Sequence, residues 1–399
     1  MVASKEATMK RSTIAISMVA AVTLATGCKK KPAEDKPVPP TTGTGSGTAA
    51  GTGSGTAAGT ATPAPTPLTG EALAKAYLAS WDAWNAGDKA AFRATYADDA
   101  ISHWPDSPMP ERKGGDAITE QAMTFRAGFP DAKASAQLVL VNGRTVTGVW
   151  LTTGTNSAAM KTPMGEMPAT NKKMGMLLFH SVSYNDANKV SEDWFLMDSN
   201  TMASQLGMSP QPGRPLMETG AAAPVIVVSA GSDVEKANLA ASQKGNDDFN
   251  KHDVAAVMAG MADDAIESDQ AAPADTVGKA KIEEGTKMFM AAFSDGKVTP
   301  ISLWAAGDYV VAVSSFTGTN DGDMGPMKKT GKPVKMTVAE ITKFDAGKVK
   351  QLWRFWDSGA MAMQMGLMPD PAAAGKAPAA PADPAAPAAP ADPAAPKTN

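Results

Sequence analysis

Hydrophobic positions fall along this chain in two sets, and each set passes from helical spacing to strict alternation. Leu73, Tyr77, Trp81 and Trp84 recur at helical spacing and predict an amphipathic helix with Thr69 as its N-cap. Shorter helical stretches follow over 89–96 and 115–129. The pattern then changes to period two. Strands over 134–141 and 144–155 flank an Asn142-Gly143 turn, and a second hairpin turning at 186–188 joins 174–184 to 189–197. Ser232 and Glu235 form a capping-box pair that opens another helix near Asp233. Helices first and antiparallel strands afterwards predict an α+β fold, with the helices segregated to one side of a curved sheet. Between the two sets, Pro224-Val225-Ile226-Val227-Val228 is too apolar for a free tether and is expected to pack on a domain as an added strand.

The two sets are copies of one another. Trp84-Asn85-Ala86-Gly87-Asp88 aligns with Phe249-Asn250-Lys251-His252-Asp253, and Ala97-Asp98-Asp99-Ala100-Ile101 with Ala262-Asp263-Asp264-Ala265-Ile266, both 165 residues on. Phe129, Asp131 and Lys133 match Phe293, Asp295 and Lys297 at 164. Trp194, Asp198, Ser199, Gln205 and Gly207 match Trp353, Asp357, Ser358, Gln364 and Gly366 at 159. Offsets that drift by a few residues mean short loop changes within one shared fold, duplicated in tandem. His252 stands where the first copy has Gly87, a turn position that predicts positive φ.

Composition limits what the rest can be. Residues 29–68 are rich in Pro, Gly, Thr and Ala, and 369–399 are almost entirely Ala, Pro and Asp, so neither has the apolar side chains to offset the entropy of ordering. The remainder, about 300 residues, suits two domains. The expected organisation is a signal over 1–27, a tether over 28–68, domains over 69–210 and 233–368 joined by a linker over 211–232, and a tail over 369–399. With 37 basic and 41 acidic residues and a net charge of −4, the chain lacks the basic stripe that nucleic acid requires. A single Cys excludes an intrachain disulfide and a Cys-built zinc site, and three His argue against most His-built ones.

Lys10 and Arg11 precede an apolar run over 14–25 that ends in Ala25-Thr26-Gly27-Cys28. The run is too short to cross a bilayer and suits a signal-peptide core, with Met9 as an alternative start. The stretch resembles a bacterial lipobox, although Ala25 stands where a large aliphatic residue is usual. That resemblance implies lipidation at Cys28 and a chain anchored to a membrane of the bacterial cell envelope. An ordinary secretory signal is the other reading.

A helix ending in Trp-Asn-x-Gly-Asp, then Ala-Asp-Asp-Ala, then Phe-Pro-Asp, then a last strand from Glu192 to Asp198 running into Gln205-Leu206-Gly207, resembles the SnoaL-like polyketide (ester) cyclases of the nuclear-transport-factor-two-like superfamily. The resemblance covers both units. It implies two tandem cone-shaped α+β barrels, each with an apolar pocket between helices and sheet, and enzymes that close rings by an aldol-type reaction without metal or organic cofactor, with an Asp on the last strand as acid–base. Members often pair sheet to sheet, so the two units are expected to form a pseudo-dimer within one chain.

Val190, Glu192, Trp194, Leu196 and Asp198 share one face of the last strand by the period-two rule, as do Val349, Gln351, Trp353, Phe355 and Asp357 in the second unit. A carboxylate ending an apolar stripe is partly desolvated, which raises its pKa and suits it to take a proton beside a carbonyl. Asp198 is therefore a candidate base. Equally, Asp198 and Asp357 are suited to N-cap the helices that follow. The resemblance places His103 and Trp104 at the pocket mouth. His180, on a face with Met176, Leu178 and Val182, is either a second acid–base group or a hydrogen-bonded core residue. Its counterpart 159 residues on is Ala339, and that of His103 is Ser268, so catalysis is assigned to the first unit if to either. Trp104, Trp150, Trp194, Trp353 and Asp357 are candidate ligand contacts, with core packing as the other role of the indoles. The 25 Met residues raise Cu(I) binding as a minor alternative to core filling. The leading expectation is a module that binds a small hydrophobic ligand; a cyclase or isomerase using Asp198, assisted by His103 or His180, is the alternative.

Overall fold

The protein is described from a computed structural model covering residues 65–107, 111–162, 165–325 and 327–368. Cys28, the signal, nearly all of the tether, the C-terminal tail and Met164 lie outside these residues. Among the described residues, no helix is long and apolar enough to cross a membrane.

The first domain opens with α1 (Gly70–Ala86), which buries Leu73, Tyr77, Trp81 and Trp84 along the predicted face. Thr69 occupies the N-cap position but its side chain makes no cap bond. Gly87 ends the helix at φ +70°, and its counterpart His252 takes φ +57°, the turn geometry expected of the pair. There follow α2 (Lys89–Ala94), β1 (Tyr96–His103), β2 (Glu111–Lys113) and α3 (Gly115–Gly128). The hairpin of β3 (Lys133–Asn142) and β4 (Thr145–Thr155) turns at Asn142-Gly143, and a short pair, β5 (Met160–Thr162) and β6 (Gly165–Met167), leads to β7 (Lys173–Tyr184), β8 (Val190–Leu196) and α4 (Ser199–Gln205). The linker supplies β9 (Val225–Val228), which pairs parallel to β3 as the added strand.

The second domain repeats the order with α5 (Asp233–Asn250), α6 (Val254–Ala259), β10 (Met261–Asp269), β11 (Thr276–Val277), α7 (Lys279–Ala292), β12 (Lys297–Ala306), β13 (Tyr309–Thr319), β14 (Pro333–Asp345), β15 (Lys348–Phe355) and α8 (Ser358–Gln364). Its first helix starts on the predicted capping box: Glu235 N donates to Ser232 Oγ while Ser232 N donates back to Glu235 Oε2.

The sheets run β2-β1-β8-β7-β4-β3-β9 and β11-β10-β15-β14-β13-β12. Both stay open, with β2 and β9, or β11 and β12, as edges, so the expected barrels do not close. In each, the last long strand pairs parallel with the first, β8 with β1 and β15 with β10.

Each central strand is covered on both faces. On one side of the first sheet lies the core built on Leu73, Tyr77, Trp81 and Phe129. On the other, Leu138, Leu140, Val149, Phe179 and Leu196 pack with Val311, Val313, Ala339, Ile341 and Phe355 of the second domain in one apolar cluster. Phe179 and Phe355, one from each sheet, lie 5.9 Å apart. Polar contacts flank this cluster. Asn142 Nδ2 donates to the Ala305 carbonyl at 3.0 Å, and Thr337 N donates to Asp106 Oδ2 at 2.9 Å.

Candidate functional site

The cavity lies in the first domain between α1, α3 and the helix-facing side of the sheet. Its volume is about 100 Å³. Alternation along β7 turns Met174, Met176, Leu178 and His180 into it, and β8 contributes Asp193, Phe195 and Met197. Trp81 and Trp84 of α1 and Phe125 of α3 close the helical side, with Ser102 of β1, Trp104 just after it and Arg112 of β2 at the margin. Burial lowers the Arg112 pKa, as a cation beside an apolar cavity requires.

A polar network occupies one end of this apolar space. His180 Nε2 lies 3.8 Å from Asp193 Oδ2, and both side chains are buried. Tyr96 Oη donates to Asp193 Oδ2 at 2.9 Å. Tyr77 Oη sits 3.0 Å from the His180 carbonyl and 3.0 Å from its Nδ1, and it accepts from Trp150 Nε1 at 2.8 Å. Trp81 Nε1 donates to His180 Nδ1 at 3.3 Å. Burial raises the pKa of Tyr77 well above the phenol range; burial and then the charge of Asp193 do the same for Tyr96, so both stay protonated donors at neutral pH. Two buried atoms of cavity-lining residues, Asp193 Oδ1 and Thr152 Oγ1, have no hydrogen-bond partner. A buried orphan of this kind needs an explanation, and a ligand group is one.

The sequence-derived candidates divide by face. His180 and Trp104 line the cavity. Trp150 stands behind the wall, stacked on Trp81 at 4.4 Å. His103 does not face the cavity: its ring stacks on Trp194 at 4.2 Å and its Nε2 lies 3.0 Å from Glu192 Oε1. Trp194 and Trp353 are on the opposite side of their sheets, against the cluster shared by the two domains. Asp198, fully buried, is not among the cavity-lining residues. Its Oδ2 accepts from Thr201 N at 2.7 Å as the N-cap of α4, and its Oδ1 accepts from Ser358 N and Oγ at 2.9 and 2.6 Å. Asp357 mirrors it: its Oδ1 takes Ala360 N at 3.1 Å as the cap of α8 and Ser199 Oγ at 2.6 Å. The capping reading therefore describes both residues, and neither Asp198 as pocket base nor Asp357 as ligand contact agrees with these positions.

The physical reason is the phase of β8. Alternation separates 190, 192, 194, 196 from 191, 193, 195, 197, but with both faces buried it does not say which one meets the cavity. The carboxylate that does is Asp193, beside Tyr96. The odd-numbered face, Ser191-Asp193-Phe195-Met197, carries a single carboxylate among mostly apolar groups and was the available signal.

Strand register also corrects one equivalence. His180 pairs across the ladder with Phe195, and Glu340 pairs with Arg354, the residue matching Phe195, so the counterpart of His180 is Glu340 rather than Ala339. By the same correspondence Asp193, Tyr96, Tyr77, Trp81 and Trp150 become Leu352, Met261, Ser242, Asn246 and Ser314. Ser102 and Trp104 become Glu267 and Asp269. Arg354 Nη1 reaches Glu267 Oε1 and its Nε reaches Glu340 Oε1, both at 2.8 Å. Burial works against the Arg354 charge, but Glu267, Glu340 and Asp269 outweigh it and hold the guanidinium ionised. Where the first domain has an apolar cavity with open valences, the second has an ion cluster satisfied from within.

Many of the methionines pack into apolar surroundings, although Met208, Met288 and Met368 are exposed. Met160 belongs to the first core, Met174 and Met176 line the cavity, and Met361 and Met365 are buried in the second domain.

The family model described as SnoaL-like polyketide cyclase matches residues 73–206 and again 240–365. Among solved structures, a protein of Jannaschia sp. assigned as a SnoaL-like polyketide cyclase is 17% identical, covering 35% of this chain and 97% of that one, with a TM-score of 0.33. IdmH of Streptomyces antibioticus, assigned as a polyketide cyclase, is 20% identical, with 32% and 98% covered and a TM-score of 0.29. AclR of Streptomyces galilaeus, assigned as a hydroxylase, is 20% identical, with 34% and 85% covered and a TM-score of 0.32. Comparison with curated proteins finds no match.

Proposed function

The chain belongs to the SnoaL-like polyketide cyclase family, with two family domains in tandem, and from that premise we propose that its first domain binds a small hydrophobic ligand while its second serves as a structural partner. The observation that carries this reading is the asymmetry of the two sites: one cavity is apolar and holds orphan polar atoms, and its counterpart is occupied by Arg354 and its carboxylates. The shared apolar cluster and the reciprocal Asp–Ser contacts support treating the two domains as an intrachain pseudo-dimer. In this reading Cys28 is lipidated and the tether holds the pair off a membrane of the bacterial envelope. Organic extracts of the purified full chain should contain a bound apolar compound, or the empty protein should take one up. A protein that does neither has no ligand role in this cavity. Incorporation of labelled fatty acid that is lost in Cys28→Ala tests the anchor; equal labelling of both chains would exclude it.

The placement of His180 beside Asp193 favours a second reading, acid–base chemistry on an enolisable carbonyl compound. Asp193 takes the role first considered for Asp198, and protonated Tyr96 holds its second oxygen. Hydrogen exchange at the carbon next to the carbonyl of cyclohexanone in D2O, accelerated by the protein and not by Asp193→Leu, is the expected sign. Equal rates with and without protein would rule it out for this class of compound.

A further inference from the structure

The open valences of the cavity define the head group of its ligand. An indole nitrogen can only donate, so the Trp81 Nε1 contact requires a lone pair on His180 Nδ1. Tyr77, whose hydroxyl also sits beside Nδ1 and accepts from Trp150, is compatible with the same arrangement. The proton of the neutral imidazole therefore resides on Nε2. That nitrogen is 3.8 Å from Asp193 Oδ2, beyond a direct hydrogen bond, and Oδ2 already accepts from Tyr96. The other oxygen, Asp193 Oδ1, is buried and has no partner. His180 and Asp193 thus bring a donor and an acceptor to one cavity, whose wall is otherwise mostly apolar, with Met174, Met176, Leu178 and Phe125, and whose other polar side chains include Arg112 and Gln121.

A single hydroxyl satisfies both groups, because its oxygen accepts from Nε2–H and its hydrogen goes to Oδ1. A carboxylate has no hydrogen to give to Asp193 Oδ1. An ammonium ion has no lone pair for Nε2–H. A hydrocarbon leaves both groups unfilled, which is costly in a buried site. We infer that the ligand is a neutral, largely apolar compound ending in a hydroxyl (an alcohol, phenol or enol), with its oxygen between His180 Nε2 and Asp193 Oδ1 and its body along the Met174–Leu178 wall. The inference rests on the ligand-binding reading of this cavity.

Phenol and toluene are matched in size and differ only in this group, and benzoate puts a carboxylate on the same ring, so their affinities for the full-length protein provide the test. Phenol should bind roughly tenfold or more tightly than toluene, the scale of hydrogen bonds to a buried charged acceptor, and benzoate more weakly than either. The phenol preference should disappear in Asp193→Leu, which installs the residue of the sister strand, with circular dichroism reporting the fold. If that variant does not fold, His180→Phe reads the same preference from the donor side. Equal binding of phenol and toluene, or preferential binding of benzoate, would overturn the inference and leave the apolar-ligand reading standing. No binding of any of the three would overturn both.

Discussion

Asp198 Oδ1 accepts a hydrogen bond from Ser358 Oγ at 2.6 Å, across 160 residues of chain, and Asp357 returns the contact to Ser199 at the same distance. Each carboxylate caps the helix that follows its own last strand and at the same time grips the first residue of the matching helix in the other copy. A residue pair that looks catalytic in a single domain is, in the duplicated chain, a clasp.

Removal of the clasp should therefore cost stability and spare the cavity. Asp198→Ala loses an N-cap and two hydrogen bonds from Ser358, a combined effect of about 2–4 kcal/mol. Chemical unfolding should show this loss, while ligand affinity measured below the transition stays at the wild-type value. Loss of binding in a folded Asp198→Ala protein would return Asp198 to the site.

The clasp also makes stability depend on pH. Burial, reinforced by the charge of Asp198 and opposed by the Ser199 hydrogen bond, pushes the Asp357 carboxyl up to about 6 from an ordinary 3.8. A carboxyl raised in the folded state contributes stability that is full below about pH 4 and is lost as pH rises through 6. Asp357→Asn, which keeps an acceptor for Ser199 and Ala360, should thus be more stable than wild type at pH 7.5 by roughly 1–2 kcal/mol, after allowance for solvent screening. Near pH 4 the advantage should vanish. A stability difference that stays constant between pH 4 and 7.5 would show that Asp357 does not titrate in this window.

His180 should be the Nε2–H tautomer. With only three His in the chain, 15N-labelled histidine gives few enough signals to assign by substitution. The Nδ1 nitrogen of His180 should report a lone pair accepting hydrogen bonds, and Trp81→Phe should shift that signal more than those of His103 or His252. A proton found on Nδ1 would contradict the donor arrangement around the ring.

The linker strand should exchange slowly. Val225–Val228 pairs with Leu138–Val141, and Ser229 N donates to the Val141 carbonyl at 2.7 Å. Amides engaged in that ladder should be protected well beyond those of a free tether. Exchange as fast as that of residues 43–58 would mean that β9 does not persist in solution.

Much of this architecture is legible in the sequence because its determinants are local. The Leu73-Tyr77-Trp81-Trp84 stripe, the Ser232–Glu235 box and the Asn142-Gly143 turn each act within a few residues, and the duplication is written in matched letters. The site was less legible. His180 was recognisable from its apolar strand face, but β8 is buried on both sides, so alternation alone did not choose between Asp193 and Asp198. That choice depends on which face the second domain covers, a fact of long-range packing. The counterpart of His180 likewise needed ladder register, since β7 and β14 are displaced by one residue more than β8 and β15.

The methionines test directly whether the first-domain cavity takes an apolar ligand while the matching place in the second domain, filled by Arg354 and its carboxylates, does not. Met174, Met176 and Met197 line the cavity, whereas Met336, Met361 and Met365 are buried in the second domain. Titration of toluene into protein labelled with 13C at the methionine methyl groups should shift the first three signals in a saturable manner and leave the other three in place. Unmoved signals from Met174, Met176 and Met197, or equal movement in both sets, would contradict the account.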